Sequence, residues 1–269
     1  MRQAQACAKI NLGLVVGPSR ADGKHEVATV LQKVDLADEI ELEPANALTI
    51  AGFDDDTLVR NALEALAASV GLAPRWRVRI DKRIPVAAGL GGGSSDAACA
   101  LALANAELPE PVPPPALHAI AAAIGTDTPF FLREGAQLAT GDGTELEAVG
   151  LPTNYIVVLV VPVRESKEST GAVYRAFDAR NGAAGFDERR AALLDALTRV
   201  EHVRDLARLP MNDLASSPLA EQLARLGAFR TDVTGAGPAV YGLFEHAVDA
   251  ERAAVAVSRA GTSWLARPV

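Results

Sequence analysis

The most constraining feature of this chain is a glycine-rich segment between a predicted strand and a predicted helix. The segment Gly89–Ser95 reads Gly-Leu-Gly-Gly-Gly-Ser-Ser. Residues Arg75–Ile80 alternate polar and apolar side chains, as a half-buried strand does, and Asp96–Asn105 is rich in alanine and leucine, as a helix is. Because a helix start has unpaired backbone N–H groups and glycine lets an anion approach the backbone, the segment predicts a phosphate-binding loop.

Two common phosphate-binding motifs do not fit this segment. A Walker loop ends in Gly-Lys-Ser/Thr, whereas Gly93 is followed by Ser94 and Ser95 with no lysine. The dinucleotide fingerprint needs a third glycine where this chain has Ser94, and it follows a fully buried strand. A structural alternative stays open, in which the glycines form a turn and Ser94 or Ser95 caps the helix.

The segment Pro85–Ala98 resembles the second motif of the GHMP kinases, the family of galactokinase and of homoserine, mevalonate and phosphomevalonate kinases. That motif reads Pro-x-x-x-Gly-Leu-Gly-Ser-Ser-Ala-Ala, and the chain matches it with Gly92 and Gly93 as an insertion. The triple glycine resembles the branch that phosphorylates 4-diphosphocytidyl-2-C-methyl-D-erythritol in the non-mevalonate isoprenoid pathway. The resemblance implies an ATP-dependent transfer to the hydroxyl at position 2, which gives ADP and the 2-phosphate.

Four further motifs resemble the same family and extend the resemblance over nearly the whole chain. Ala8–Leu14 resembles the first family motif, and Asp22–His25 resembles the Asp-Gly-Tyr-His of the branch. Gly125–Phe131 resembles its Gly-Ala-Asp-x-Pro-Phe-Phe, and Val233–Phe244 resembles the glycine turn that leads into a strand. All of them follow the family's order.

The resemblance implies an α+β, two-lobed GHMP kinase fold. We expect an N-terminal mixed α/β domain with the ATP phosphate-binding loop over residues 1–150, and a C-terminal ferredoxin-like α+β sandwich over residues 151–269. The alternation of strand and helix patterns after Pro152 agrees with such a sandwich. Apolar spacing predicts helices over 58–70 and 212–226, and Gly141–Gly143 is typical of a hairpin turn.

Composition excludes several classes of protein. A chain of 269 residues with 49% hydrophobic residues can bury a substantial core. The net charge of −8 argues against a general nucleic-acid binder, so an anionic substrate must be held by local groups. Cys7 and Cys99 are too few for a disulfide framework or a zinc site. We expect no targeting segment, because residues 1–6 lead into the Lys9 motif without an apolar stretch of signal-peptide length. The longest apolar run, Tyr155–Val163, is far short of the ~20 residues that a membrane helix needs. We expect a cytoplasmic monomer or weak homodimer that binds neither nucleic acid nor a membrane.

The resemblance assigns catalysis to Lys9 and Asp127. Asp127 would accept or orient the proton of the substrate hydroxyl, and Lys9 would keep that carboxylate ionised and stabilise charge on the transferring group. From spacing alone, Lys9 would be a solvated residue at a strand edge. The sequence Asp127-Thr-Pro is also a good helix start, in which Asp127 or Thr128 would be the N-cap.

The resemblance also implies Mg²⁺ bound together with ATP. Ser94 or Ser95 would supply a hydroxyl to the metal and the phosphate oxygens. Four histidines without paired spacing predict no further metal site. The predicted ATP-binding residues are Pro85, Val86, Ala87, Ala88, Gly89, Leu90, Gly91, Gly92, Gly93, Ser94 and Ser95.

The predicted substrate site depends on fewer residues. In the branch, the histidine of Asp-Gly-Tyr-His contacts the edge of the cytosine, and the resemblance assigns this role to His25. An aromatic residue of the branch stacks on the cytosine ring, and the resemblance assigns this role to Tyr174. Lys24 replaces the tyrosine that the branch stacks on the other face. Asn11 shares the strand face of Lys9 because it lies two residues further on. The predicted substrate-binding residues are Asn11, Lys24, His25, Thr170 and Tyr174.

Two alternatives stay open. Another GHMP small-molecule kinase, of the homoserine or mevalonate type, would keep the glycine loop and Asp127 but would not need His25 or Tyr174. A non-catalytic nucleotide-binding relative would keep the fold and lose the chemistry. Asp213, which follows Asn212 near a predicted helix start, is interpreted as a helix cap.

Overall fold

The computed structural model describes residues 1–53, 57–163 and 169–269. The described chain divides into two compact units, neither of which is continuous in sequence. Unit 1 consists of Met1–Ala8, Leu36–Ala87 and Gly91–Glu134, and unit 2 consists of Lys9–Asp35, Ala88–Leu90 and Gly135–Val269.

The secondary structure mixes strands and helices along the whole chain. The strands are β1 (Arg2–Ser19), β2 (His25–Pro44), β3 (Thr49–Ala51), β4 (Trp76–Asp81), β5 (Ala136–Thr140), β6 (Glu145–Val149), β7 (Ile156–Pro162), β8 (Arg230–Val233), β9 (Val240–Phe244) and β10 (Gly261–Ala266). The helices are α1 (Thr57–Ser69), α2 (Gly92–Asn105), α3 (Pro114–Ile124), α4 (Thr128–Phe131), α5 (Thr170–Ala179), α6 (Phe186–Thr198), α7 (Pro218–Arg225) and α8 (Ala247–Val257), with a 3₁₀ helix at Val203–Arg208.

Unit 1 packs helices α1, α2 and α3 around one apolar core. Strand β4 pairs antiparallel with the second half of β2 and parallel with β3. Its side chains alternate between buried and exposed, as the sequence predicts. Leu63 and Leu66 of α1 and Leu101 of α2 are fully buried in this core. The alanine-rich sequence of α2 therefore forms a helix with its small side chains packed closely against its neighbours.

Unit 2 contains an antiparallel sheet in the strand order β10-β7-β9-β8. The apolar run of β7 lies between two strands, which explains why it is almost continuously buried. Helices α7 and α8 contribute Leu223 and Val257 to the core on this sheet. In the same unit, β5 and β6 form the predicted hairpin, with positive φ at Gly141 and Gly143 in its turn.

The predicted helix over 212–226 is wrong in its first half. Helix α7 begins only at Pro218, which occupies the first turn, and Ser217 caps it by accepting a hydrogen bond from the N–H of Leu219 at 3.2 Å. The side-chain oxygen of Asn212 instead accepts a hydrogen bond from the N–H of Leu214. Such a local side-chain bond competes with helix formation. The sequence patterns also missed β3 and the 3₁₀ helix.

Candidate active site

Strand β1 carries a buried lysine and asparagine on one face. Lys9 is only 3% exposed, and its Nζ donates a hydrogen bond to Oδ1 of Asn11 at 2.8 Å. The two side chains therefore share a face, as their spacing of two residues predicts. The alternative of a solvated Lys9 at a strand edge is wrong, because the ammonium is buried and held by an amide oxygen.

Asn11 connects this lysine to Val233–Phe244, the glycine turn and strand that we call the third glycine motif. Its Nδ2 donates to Oγ1 of Thr29 at 2.8 Å, and its Oδ1 accepts from Oγ1 of Thr234 at 3.1 Å. The hydroxyl of Tyr241 donates to the backbone oxygen of Asn11 at 2.9 Å. Because both ends of the amide are engaged, the Asn11 side chain has one orientation and holds its oxygen towards Lys9.

Residues Ala88–Leu90, the first part of the glycine loop, belong to the same unit as Lys9. Leu90 accepts a backbone hydrogen bond from Lys9 at 2.9 Å, and Ala88 accepts one from Ala239. Gly89 has φ of 88°, and a Cβ at this position would lie 2.4 Å from the backbone oxygen of Thr234. Only glycine allows this approach. The motif of Lys9, the start of the glycine loop and the segment Val233–Phe244 lie far apart in sequence and therefore contact one another here.

The second part of the glycine loop is the N-terminus of α2 in unit 1. Gly91 occupies the N-cap position with φ of 72°, and no side chain among the described residues caps this helix end. The alternative in which Ser94 or Ser95 is the N-cap is therefore wrong. Ser95 is buried and Ser94 is half-buried, so Ser94 is the hydroxyl nearer to solvent. An uncapped helix N-terminus is suited to an anion such as phosphate.

A buried charge cluster beside this helix start was missed by sequence reasoning. Nζ of Lys82 donates to Oδ2 of Asp38 at 2.5 Å and to Oδ2 of Asp96 at 2.7 Å. Both carboxylates are fully buried, and a Cβ at Gly92 would lie 3.3 Å from the Lys82 ammonium. Asp38 also accepts backbone hydrogen bonds from Arg83 and Ile84. Strand β2 also carries Asp35, Glu39 and Glu41, so Asp38 does not stand out in the sequence and no local signal pointed to this cluster.

The protonation of this charge cluster is perturbed. Burial and, second, the Asp38 carboxylate raise the pKa of Asp96 from 3.8 to about 7, although Lys82 opposes the rise. Burial would lower the pKa of Lys82, but its hydrogen bonds to Asp38 and Asp96 outweigh burial and raise that pKa. Oδ1 of Asp96 has no hydrogen-bond partner within the described part of the chain. The cluster thus holds a fixed ammonium beside the N-terminus of α2, and the pKa of Asp96 lies near neutral pH.

Asp127 stands at the start of the short helix α4 in unit 1. It occupies the N-cap position, but within the described ranges its side chain makes no cap hydrogen bond. Pro129 follows in the first turn, as predicted. Thr128 is fully buried, and its Oγ1 would lie 3.2 Å from a Cβ at Gly125. The helix-cap interpretation therefore does not account for the carboxylate of Asp127.

The predicted cytosine-reading residues come together in unit 2. The rings of His25 and Tyr174 have centroids 4.7 Å apart and are tilted by 38°. Nε2 of His25 forms a hydrogen bond of 2.8 Å with Oδ1 of Asp178, a residue that sequence reasoning missed. Thr170 is the first residue of α5, the helix that also carries Tyr174 and Asp178.

Lys24 is bound to a neighbouring loop. Its Nζ donates to Oδ2 of Asp142 at 2.6 Å, and Thr144 donates its hydroxyl to the other oxygen of that carboxylate. Burial alone would raise the pKa of Asp142, but the hydrogen bonds from Lys24 and Thr144 lower it to about 2. Lys24 therefore has a partner of opposite charge near the His25 end of β2.

Asp213 is not a helix cap, contrary to the sequence interpretation. Its Oδ2 accepts hydrogen bonds from the N–H of Val16 at 2.8 Å and from Nε of Arg189 at 3.1 Å. The preceding Asn212 donates its Nδ2 to the backbone oxygens of Val233 and Gly235. Both residues thus fix backbone segments of unit 2, and Asn212 holds the third glycine motif.

Comparisons with known proteins show which family the chain resembles in sequence. A model of the GHMP kinases N terminal domain matches residues 57–135, and a model of the GHMP kinases C terminal domain matches residues 189–263. The 4-diphosphocytidyl-2-C-methyl-D-erythritol kinase of Chlorobaculum tepidum is 35% identical, over 94% of this chain and 93% of the relative. The chain belongs to the GHMP kinase family. The enzyme of the same name from Salinispora arenicola is 38% identical over 92% of this chain and 84% of that protein.

Solved structures show the same two-domain α+β fold, which confirms the predicted fold class. A crystal structure of a 4-(cytidine 5'-diphospho)-2C-methyl-D-erythritol kinase has a TM-score of 0.80 and 32% identity, and covers 99% of both chains. The Methanococcus jannaschii mevalonate kinase has a TM-score of 0.78 at 13% identity, so it supports the fold alone. GHMP kinases use ATP as phosphoryl donor and act on small molecules. No helix of the described residues is long and apolar enough to cross a membrane.

Proposed function

We propose that this protein transfers the γ-phosphoryl group of ATP to the hydroxyl at position 2 of 4-diphosphocytidyl-2-C-methyl-D-erythritol, giving ADP and the 2-phosphate. Relatives that are 33–38% identical over about nine-tenths of the chain carry this activity in their names. The transfer belongs to the non-mevalonate route to isoprenoid precursors.

Binding of ATP is assigned to the segment Pro85–Ser95. The uncapped N-terminus of α2 supplies backbone N–H groups for the phosphate oxygens, and glycine at position 91 keeps that approach open. Mg²⁺ fits this arrangement because Ser94 offers a half-exposed hydroxyl oxygen, the kind of ligand that Mg²⁺ accepts beside phosphate oxygens. No cluster of three or more His, Cys, Asp or Glu side chains suited to a metal occurs in the described ranges. When bound, Mg²⁺ would neutralise charge on the phosphates.

Asp127 and Lys9 are assigned to the chemical step. The Asp127 side chain makes no cap hydrogen bond to α4 within the described ranges, and we assign its carboxylate to accept the proton of the attacking hydroxyl. Lys9 is a buried ammonium with a fixed orientation, and such a group stabilises negative charge that develops in the transition state. We assign the orientation of Lys9 to Asn11.

The observation that carries the choice of substrate is the contact between His25 and Tyr174. Tyr174 and His25 lie in ring contact, so an aromatic face and a polar ring edge are offered at one place, which suits a pyrimidine base. A homoserine or mevalonate kinase would need neither residue. Asn11, Thr170 and Lys24 complete the proposed substrate-binding set, with Lys24 held by Asp142.

Release of ADP by purified protein with magnesium ATP tests this proposal. We expect ADP release with 4-diphosphocytidyl-2-C-methyl-D-erythritol and none above background with homoserine, mevalonate or galactose. Equal or faster turnover of one of those alcohols would overturn the choice of substrate. No turnover with any alcohol, together with ATP binding, would favour the non-catalytic relative instead.

We further propose an N-terminal domain over residues 1–150 and a C-terminal domain over residues 151–269, a division supported by the two segments that match family models. The compact units of the structure divide the chain differently, because Gly135–Val269 all belong to unit 2. We also infer a cytoplasmic monomer or weak homodimer. Sedimentation velocity over a range of protein concentrations tests the oligomeric state, and a stable trimer or larger assembly would contradict it.

A further inference from the structure

Asp178 of α5 has no role in the proposed reaction so far. Its Oδ1 lies 2.8 Å from Nε2 of His25, whose side chain is 8% exposed. We propose that Asp178 is a positioning residue that makes the base site selective for an amino-bearing pyrimidine over a keto-bearing one. This inference rests on the proposed function, in which His25 reads the base.

The groups of α5 that surround His25 lie on one face of that helix. Tyr174, Phe177 and Asp178 are spaced i, i+3 and i+4, so they project from the same side of the helix. The Phe177 ring is fully buried and meets the His25 ring edge to face, with centroids 6.1 Å apart. The imidazole is therefore held by two aromatic rings and one carboxylate, and it has little freedom to rotate.

The carboxylate decides which nitrogen of His25 carries the proton. An ionised carboxylate only accepts hydrogen bonds, so the short contact requires an N–H on Nε2. In a neutral imidazole the other nitrogen, Nδ1, then keeps its lone pair and is an acceptor. Without Asp178, the proton could also reside on Nδ1, which would convert that nitrogen into a donor.

A hydrogen-bond acceptor at Nδ1 of His25 distinguishes cytosine from uracil. Cytosine presents an amino donor at position 4, whereas uracil presents a carbonyl acceptor there. The Nδ1 lone pair of His25 therefore attracts the cytosine edge and opposes the uracil edge. Selectivity for the base thus comes from a residue that need not contact the base.

Binding of CDP and UDP, measured by calorimetry at a pH of about 8, where an imidazole is ordinarily neutral, tests the inference. We expect wild-type protein to prefer CDP. Asp178→Ala should reduce the preference about 10-fold, which corresponds to the loss of one hydrogen bond to a base edge. Asp178→Asn should retain most of the preference, because its carbonyl oxygen can accept the same hydrogen bond. Asp187→Ala, which removes an exposed carboxylate from α6 of the same unit, is the matched control.

Two further measurements separate positioning from folding. Nitrogen NMR of His25 should show a proton on Nε2 in wild type and a mixture of protonation sites in Asp178→Ala. In turnover, Asp178→Ala should raise the KM for the cytidine substrate and leave kcat nearly unchanged. An unchanged CDP preference in Asp178→Ala, an equal loss in Asp178→Ala and Asp178→Asn, or a proton on Nδ1 in wild type would each overturn the inference. If wild type neither binds CDP nor turns over the substrate, the proposed function fails, which is a separate outcome.

Discussion

The charge cluster of Lys82, Asp38 and Asp96 predicts an unusual dependence of stability on pH. Asp96 is fully buried at the start of α2, and its pKa of about 7 lies well above its ordinary value of 3.8. Replacing Asp96 with asparagine keeps the shape and an oxygen that can accept the hydrogen bond from Lys82, but it removes the titratable group. Asp96→Asn therefore isolates the cost of ionising this one carboxyl group inside the protein.

The direction in which the free energy of unfolding changes with pH depends on whether the folded or the unfolded chain binds the proton of Asp96. Between pH 3.8 and about 7 the folded protein holds a proton on Asp96 that the unfolded chain has released. The free energy of unfolding therefore falls as the pH rises through this interval, and it stops changing above the folded pKa. Each pKa unit is worth about 1.4 kcal/mol, so raising the pH from about 5 to 7 should cost roughly 3 kcal/mol. Because Asp96 interacts with the neighbouring Asp38 carboxylate, roughly 3 kcal/mol is an upper value for the free energy that Asp96 contributes by itself.

Urea unfolding at several pH values from about 5 to 8.5 measures this effect. Wild type should lose roughly 2–3 kcal/mol of unfolding free energy across the range relative to Asp96→Asn, whose stability lacks this contribution. Asp81→Asn is the control, because Asp81 is an exposed carboxylate of the same unit and its ion pair with Arg83 contributes little. Parallel pH profiles for wild type and Asp96→Asn would refute the reasoning.

Three other predictions follow from the sites described above. Asp127→Asn should lower kcat by roughly 10²–10⁴-fold with little change in ATP affinity, and a near-normal kcat in steady-state kinetics would exclude it as the proton acceptor. Gly89→Ala should destabilise the protein by more than about 1 kcal/mol, because the new Cβ would lie 2.4 Å from the backbone oxygen of Thr234 and the residue needs a φ of 88°. A thermal unfolding temperature equal to that of wild type would contradict this prediction. Lys24→Tyr should lower the KM for the cytidine substrate, since a stacked base gains about 1–3 kcal/mol, and an unchanged KM would mean that this loop lies away from the base.

Local sequence patterns were sufficient to predict most of the secondary structure. The alternation of Arg75–Ile80 predicts β4, and the hairpin turn at Gly141–Gly143 follows from residues that tolerate positive φ. The predicted helix over 212–226 failed because side-chain hydrogen bonds of Asn212 hold its first residues out of the helix. Periodicity carries no information about such bonds.

The sequence by itself determined the family, the order of the motifs and the identity of the candidate residues. Short motifs can do this because the chemistry of phosphate binding requires particular residue types at fixed local spacing. The identification of Lys9 and Asp127 as candidate catalytic residues needed no coordinates.

Only the tertiary structure decided which groups these residues contact. Lys82 meets Asp38 across 44 residues of sequence, Asp178 lies 153 residues from His25, and Thr234 lies 223 residues from Asn11. Hydrogen bonds and ion pairs between such distant residues exist only after the chain has folded, and burial then changes their protonation, as it does for Asp96. The physical reason is that desolvation and partner geometry are properties of the packed interior, which no local pattern encodes.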